Sequence, residues 1–401
     1  MKRMTSALAE IRNQAAIAAA LSAAIALVSG RFRSSNFNNY VRLADAWTHG
    51  HTWIDWPGRW MDAAVYNGAH YTVDGPLPAL FALPFAPFLH NQTNQTYIAI
   101  AVCAAMIAVA YSLLARLGVN LPGRIFLTVF LFAGTDVWWC AELGDVWFLA
   151  HLSAMLFTFL AVGECLGKKR ALPVALYAFC AFESRAPLLF AVPLYAYLLC
   201  ADPALETSVL RAQKLVPFGA GLFGGLLMWV GYNEWQWGLP YDIGHTLYYH
   251  QDGWGSPIGS PFSPAFLPYQ LYSFFIQGPA YVEYLQHPMW PYFRCDPKGI
   301  ALTFTSPALA LAFFARRPRG CTVMLWLTAL LVAAPDFLYY LNGWYQFGMR
   351  HLLDFVPFVF LLMAFAVRER VPAWGIALIC WSAAMGAWGV WYWNVFFRTG
   401  N

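Results

Sequence analysis

The side chains best suited to chemistry in this 401-residue chain are acids and arginines set in or beside apolar runs. Asp62 and Asp74 flank the turn-rich stretch VYNGAHY. Asp74 opens Asp-Gly-Pro, which leads straight into an apolar segment, and an Asp there caps a helix as readily as it serves a reaction. Asp62 has no such simple structural account. It is the preferred acidic candidate, a carboxylate able to deprotonate or orient a hydroxyl. Glu183-Ser184-Arg185 interrupts an apolar region, where an acid and an arginine are costly unless paired or functional. The planar fork of Arg185 suits phosphate oxygens. Near the end, NGWYQFGMR runs into an apolar segment through Arg350, His351 and Asp354. Arg350 and Asp354 are four apart and share a helix face, either as an ion pair or as an anion grip oriented by the acid. Asp136, Glu142 and Asp145 surround TDVWWCAELGD between two apolar segments. Glu142 and Asp145 are weak candidates for a divalent cation, because their spacing matches no specific metal motif. His245, His250, His287 and His351 share no metal-ligand spacing.

The elements that must position these groups are membrane helices. The chain is 60% hydrophobic, 18% aromatic and 11% charged, against about 25% charged residues in a soluble domain. Its mean hydropathy is +0.50. A net charge of +4, small and scattered, excludes nucleic acid as a partner. The eight cysteines form no close CxxC pair and read as small core residues. Apolar runs recur at 11–30, 77–89, 97–115, 125–140, 147–164, 171–183, 186–201, 214–232, 300–315, 321–341, 351–367 and 372–393. The expected fold class is an all-α polytopic membrane protein, one integral membrane domain over 1–401, with about 10–12 membrane helices. The run at 11–30 is expected to be an uncleaved first membrane helix. Residues 77–89, with Pro76 just before and Pro78, Pro84 and Pro87 inside, read as a kinked or re-entrant helix about as readily as a span.

Lys2, Arg3 and Arg12, Lys168–Arg170, Arg211 and Lys214, Arg316–Arg319, and Arg368 with Arg370 mark cytoplasmic turns. Residues 31–75, 233–299 and 342–350 then face the outer side. In the first outer loop, Tyr40 to Gly50 reads as an amphipathic surface helix. Tyr40, Leu43, Ala44 and Trp47 lie on one side; Arg42, Asp45 and His49 lie on the other. Asn67-Gly68 fits a two-residue hairpin turn. The second large loop, 233–299, is rich in aromatics and serves as an interfacial belt or as cover for a ligand.

The opening helix, the following NNYVRLADAWTHG, and DGPLPALFALP entering the next apolar segment resemble the GT-C superfamily of integral membrane glycosyltransferases. The protein-mannosyltransferase and aminoarabinose-transferase branches are the nearest, and the late GMRHLLDFVPF adds to the likeness. One departure is visible: Asn38-Asn39 stands where such enzymes place an acidic residue, so the base falls to Asp45, Asp62 or Asp74. The resemblance implies a GT-C-like bundle with a helical extracytoplasmic first loop. It implies sugar transfer from a polyprenyl-phosphate donor to an extracytoplasmic lipid, glycan or protein acceptor, in a bacterial inner or plasma membrane. Asp62 would act on the acceptor hydroxyl, and Arg350 and Arg185 on the departing phosphate. His351, Glu183, Tyr71 and Trp254 would complete the substrate site. No cofactor is required, and a divalent cation is admitted. A transporter or flippase of a lipid-linked substrate, or a non-catalytic scaffold, is the rival reading.

Overall fold

The computed structural model describes residues 2–58, 61–201, 208–251, 258–281, 293–343 and 346–397. Two compact units divide the chain. A terminal unit comprises 1–32, 103–142 and 262–401; a central unit comprises 33–102 and 143–261.

Among the described residues, six helices are long and apolar enough to cross a membrane: Leu8–Ser29, Gln95–Arg116, Val146–Cys165, Arg211–Trp237, Arg319–Leu338 and Ala373–Val395. A seventh arises if Leu121–Ala133 and Val137–Leu143, bent by 50°, count as one span. The chain is an integral membrane protein built as an α-helical bundle. Among the described residues this is fewer than the ten to twelve membrane helices expected. Ala171–Ser184, Ala186–Cys200 and Leu352–Ala366 are shorter apolar helices. Residues 77–89 form two single turns, Ala79–Ala82 and Ala86–Leu89, and 300–315 form one turn followed by the 3-10 stretch Pro307–Phe314. Prolines mark these breaks: each fixes φ and removes a backbone donor.

In the terminal unit, Gln14 of the first helix accepts from the Tyr111 hydroxyl at 2.8 Å and from Arg124 at 3.1 Å. The Arg124 guanidinium also stands 5.3 Å from the Tyr111 ring centre. Asn120 caps Leu121–Ala133 by accepting from Gly123 N at 2.8 Å. Gly386 lets the Ala373–Tyr392 helix pass so close to Ala133 that a Cβ there would lie 1.9 Å from the Ala133 carbonyl oxygen.

In the central unit, the surface helix runs Asn39–Thr48. Gln95 anchors its start, accepting from Tyr40 N and Val41 N at 3.1 and 3.3 Å. The same side chain donates to Phe37 O and Gly144 O at 2.9 and 2.7 Å. Strands β1 (Ala63–Tyr66) and β2 (Ala69–Thr72) pair antiparallel across Asn67-Gly68. Both turn residues have positive φ, +49° and +81°, the primed-turn geometry that suits a two-residue hairpin. Ala171–Ser184 packs between Val146–Cys165 and Ser208–Trp237. Gly221 and Gly225, four apart, meet Ala175 and Phe179 of that central helix. This is the small-residue spacing that lets membrane helices approach closely.

Candidate functional site

The central unit holds a cleft of about 600 Å³, part of it open to solvent. Three stretches build it: Thr72–Pro76 after the hairpin, Phe182–Ala186 at the end of Ala171–Ser184, and residues 229–245 at the end of Ser208–Trp237. The first two meet through backbone. A Cβ on Gly75 would stand 2.1 Å from the Glu183 carbonyl oxygen, so only glycine allows this approach.

Asp74, Glu183, Arg185, Asp242 and His245 line the cleft together. Asp242 lies within electrostatic range of Glu183. Trp229 packs on Phe182, and Trp237 packs on Tyr66 and Tyr71 with ring centres 5.7 and 5.0 Å away. The buried Tyr40 hydroxyl senses Asp74, Arg185 and Tyr232. Burial raises its pKa well above the usual phenol value, Asp74 adds to that rise and Arg185 opposes it. Glu183 Oε1 and Thr72 Oγ1 are buried without a hydrogen-bond partner among the described residues. Both residues line the cleft, where water or a ligand can supply the partner.

Of the residues singled out in sequence, Asp74, Glu183 and Arg185 meet in this cleft. Asp74 does not cap the following turn, whose cap position is Pro78. Tyr71 stands behind the cleft against Trp237, its pKa raised by burial first and by Tyr66 second. Asp62 does not line the cleft. Its carboxylate accepts from the Trp147 indole, and its backbone carbonyl from Asn39 Nδ2 at 2.7 Å. Asp45 was expected on the polar side of its helix but is buried beside the turn at His90, while His49 on the same side is exposed. Asp45 accepts there from His90 Nδ1 at 3.0 Å. Trp254 lies outside the described residues. Asp242, His245, Tyr232 and Trp237 were not singled out as site residues. The signal available was their crowding into YNEWQWGLPYDIGH.

The terminal unit holds a second group. Asp336, His351 and Asp354 are buried, and one ligand atom from each lies within 4.8 Å of the others. His351 Nδ1 stands 3.1 Å from Asp336 Oδ1. Arg350, also buried, is close enough to Asp136 to act on its charge. Gly348 admits that acid: a Cβ there would meet Asp136 Oδ1 at 2.4 Å. Glu142 accepts from Asn394 at 3.1 Å in the terminal unit. Asp145, in the central unit, accepts from the Ser35 hydroxyl at 2.5 Å. Neither belongs to the group of three. Asp336 was missed because 15 and 18 positions separate it from its partners, beyond any helical spacing.

The fold and these groups define an integral membrane helical protein with a polar, aromatic-walled cleft. No family model, no curated protein and no solved structure matches the chain.

Proposed function

We propose that the central-unit cleft transfers a sugar from a polyprenyl-phosphate donor to an acceptor hydroxyl on the extracytoplasmic side. The observation that carries this reading is the meeting of Asp74, Glu183 and Arg185 between tryptophans, with orphaned polar atoms at Glu183 and Thr72. A sugar supplies hydroxyls for such atoms and apolar faces for Trp229 and Trp237. Arg185 supplies the fork for a phosphate. The charge pattern favours an outer cleft. Lys168–Arg170 and Lys214 lie towards the opposite ends of the helices that deliver Glu183 and Trp237.

In this scheme the acceptor oxygen attacks the anomeric carbon while its proton passes to Asp74. The bond from that carbon to the phosphate oxygen breaks, and the electron pair leaves with the lipid phosphate. Arg185 stabilises the growing charge. Asp74 takes the role of base because it lines the cleft, whereas the Asp62 carboxylate is held by Trp147. The setting is a bacterial inner or plasma membrane, and the acceptor is a lipid, glycan or protein.

The test is an assay of purified chain with polyprenyl-phosphate sugars. Wild type is expected to form a covalent product, with Arg185→Ala and Asp74→Asn each slower by at least about 100-fold. Product formed by both variants at the wild-type rate would contradict the assignment. A transporter of a lipid-linked substrate is the second reading. The buried ionisable group in the terminal unit favours it, and substrate movement across vesicles without covalent product would select it.

A further inference from the structure

We infer that Asp336, His351 and Asp354 form a divalent transition-metal site that clamps two helices of the terminal unit, independently of the transferase reading. Asp336 lies near the end of Arg319–Leu338. His351 stands at the cap position of Leu352–Ala366, and Asp354 lies in the first turn of that helix. The intervening loop returns the chain so that all three ligand atoms converge within 4.8 Å.

Three observations point to a metal ion. The exposures of Asp336, His351 and Asp354 are 7%, 9% and 0%. Two carboxylates and an imidazole converge there out of reach of bulk water, and a dication matches the charge of the two acids. The separation of His351 Nδ1 from Asp336 Oδ1 is 3.1 Å. Two ligands bound at about 2.1 Å to one ion lie about 3.0–3.4 Å apart at octahedral or tetrahedral angles, so the distance of this ion pair also fits two ligands of one ion. The donor set is one imidazole nitrogen and two carboxylates. It suits Mn²⁺, Fe²⁺ or Zn²⁺, whereas Ca²⁺ and Mg²⁺ favour all-oxygen sites and Cu⁺ favours sulfur. The ligands come from both helices, so a bound ion joins the end of one to the start of the next.

The full chain, purified in detergent and stripped with EDTA, is titrated with Mn²⁺ and followed by electron paramagnetic resonance and elemental analysis. The expected result is saturation at one ion per chain and a higher melting temperature that EDTA reverses. His351→Ala and Asp354→Asn should each weaken binding by at least about 10-fold. Wild type alone decides the matter if a variant fails to fold. No saturable binding of Mn²⁺ or Zn²⁺ to wild type would overturn the site and leave only the contact between His351 and Asp336. Full-strength binding in both folded variants would overturn it equally. Neither readout involves a sugar donor, so failure here is distinct from failure of the transfer assay.

Discussion

The central cleft and the terminal Asp–His–Asp group bring acids together by opposite means. The cleft is assembled by backbone: Gly75 lies against the Glu183 carbonyl, and the functional side chains project into space partly open to solvent. The terminal group is assembled by side chains that fill their own surroundings, with all three members buried. The first arrangement leaves room for a molecule with hydroxyls and rings. The second offers three converging ligand atoms and no such gap. Acid-rich sequence therefore carries two meanings in one chain, and what separates them is whether the backbone holds a gap open.

Gly75→Ala should break this contrast most sharply. The added methyl meets the Glu183 carbonyl oxygen, so Asp74 and Arg185 move apart. Misplacement of about 1 Å is expected to cost about 100-fold in transfer, and the overpacking about 1–3 kcal/mol in stability. Mn²⁺ binding by the terminal group should be unchanged. Transfer at the wild-type rate would show that the close approach is not what makes the cleft work.

Gln95→Ala comes next. It strips buried partners from Tyr40 N, Val41 N, Phe37 O and Gly144 O. The expected loss is about 1–3 kcal/mol, read by denaturant unfolding in detergent. A loss within error would mean that water replaces the amide and that the surface helix is held by its apolar side alone.

Asn120→Ala, in the terminal unit, should cost about 1 kcal/mol through loss of the cap to Gly123 N. It should leave transfer unchanged. A transfer defect as large as that of Gly75→Ala would erase the distinction between the two regions.

The sequence carried much of this picture where the signal was local. Apolar runs gave the membrane helices, Asn67-Gly68 gave the hairpin, and the interruption at Glu183-Ser184-Arg185 flagged residues that line the cleft. Fewer spanning helices than expected are found among the described residues because several apolar runs fold as the short helices Ala171–Ser184, Ala186–Cys200 and Leu352–Ala366, and hydropathy alone does not fix where a helix ends. Asp62 drew attention because no local structural role was visible for it. Its partner Trp147 is 85 positions away. Asp45 was set on a polar face by periodicity, yet it is buried beside the distant His90. Asp336 pairs with His351 only after a loop closes, and no periodic pattern encodes that closure.

The central claim is that the cleft between Asp74, Glu183 and Arg185 receives a lipid-phosphate sugar. A photoreactive polyprenyl-phosphate sugar, cross-linked to the purified chain and mapped by mass spectrometry, tests it most directly. The account predicts labelling within 72–76, 182–186 and 229–245, competed away by unlabelled donor and lost in Arg185→Ala. Competable labelling confined to other segments, or none at all, would contradict it.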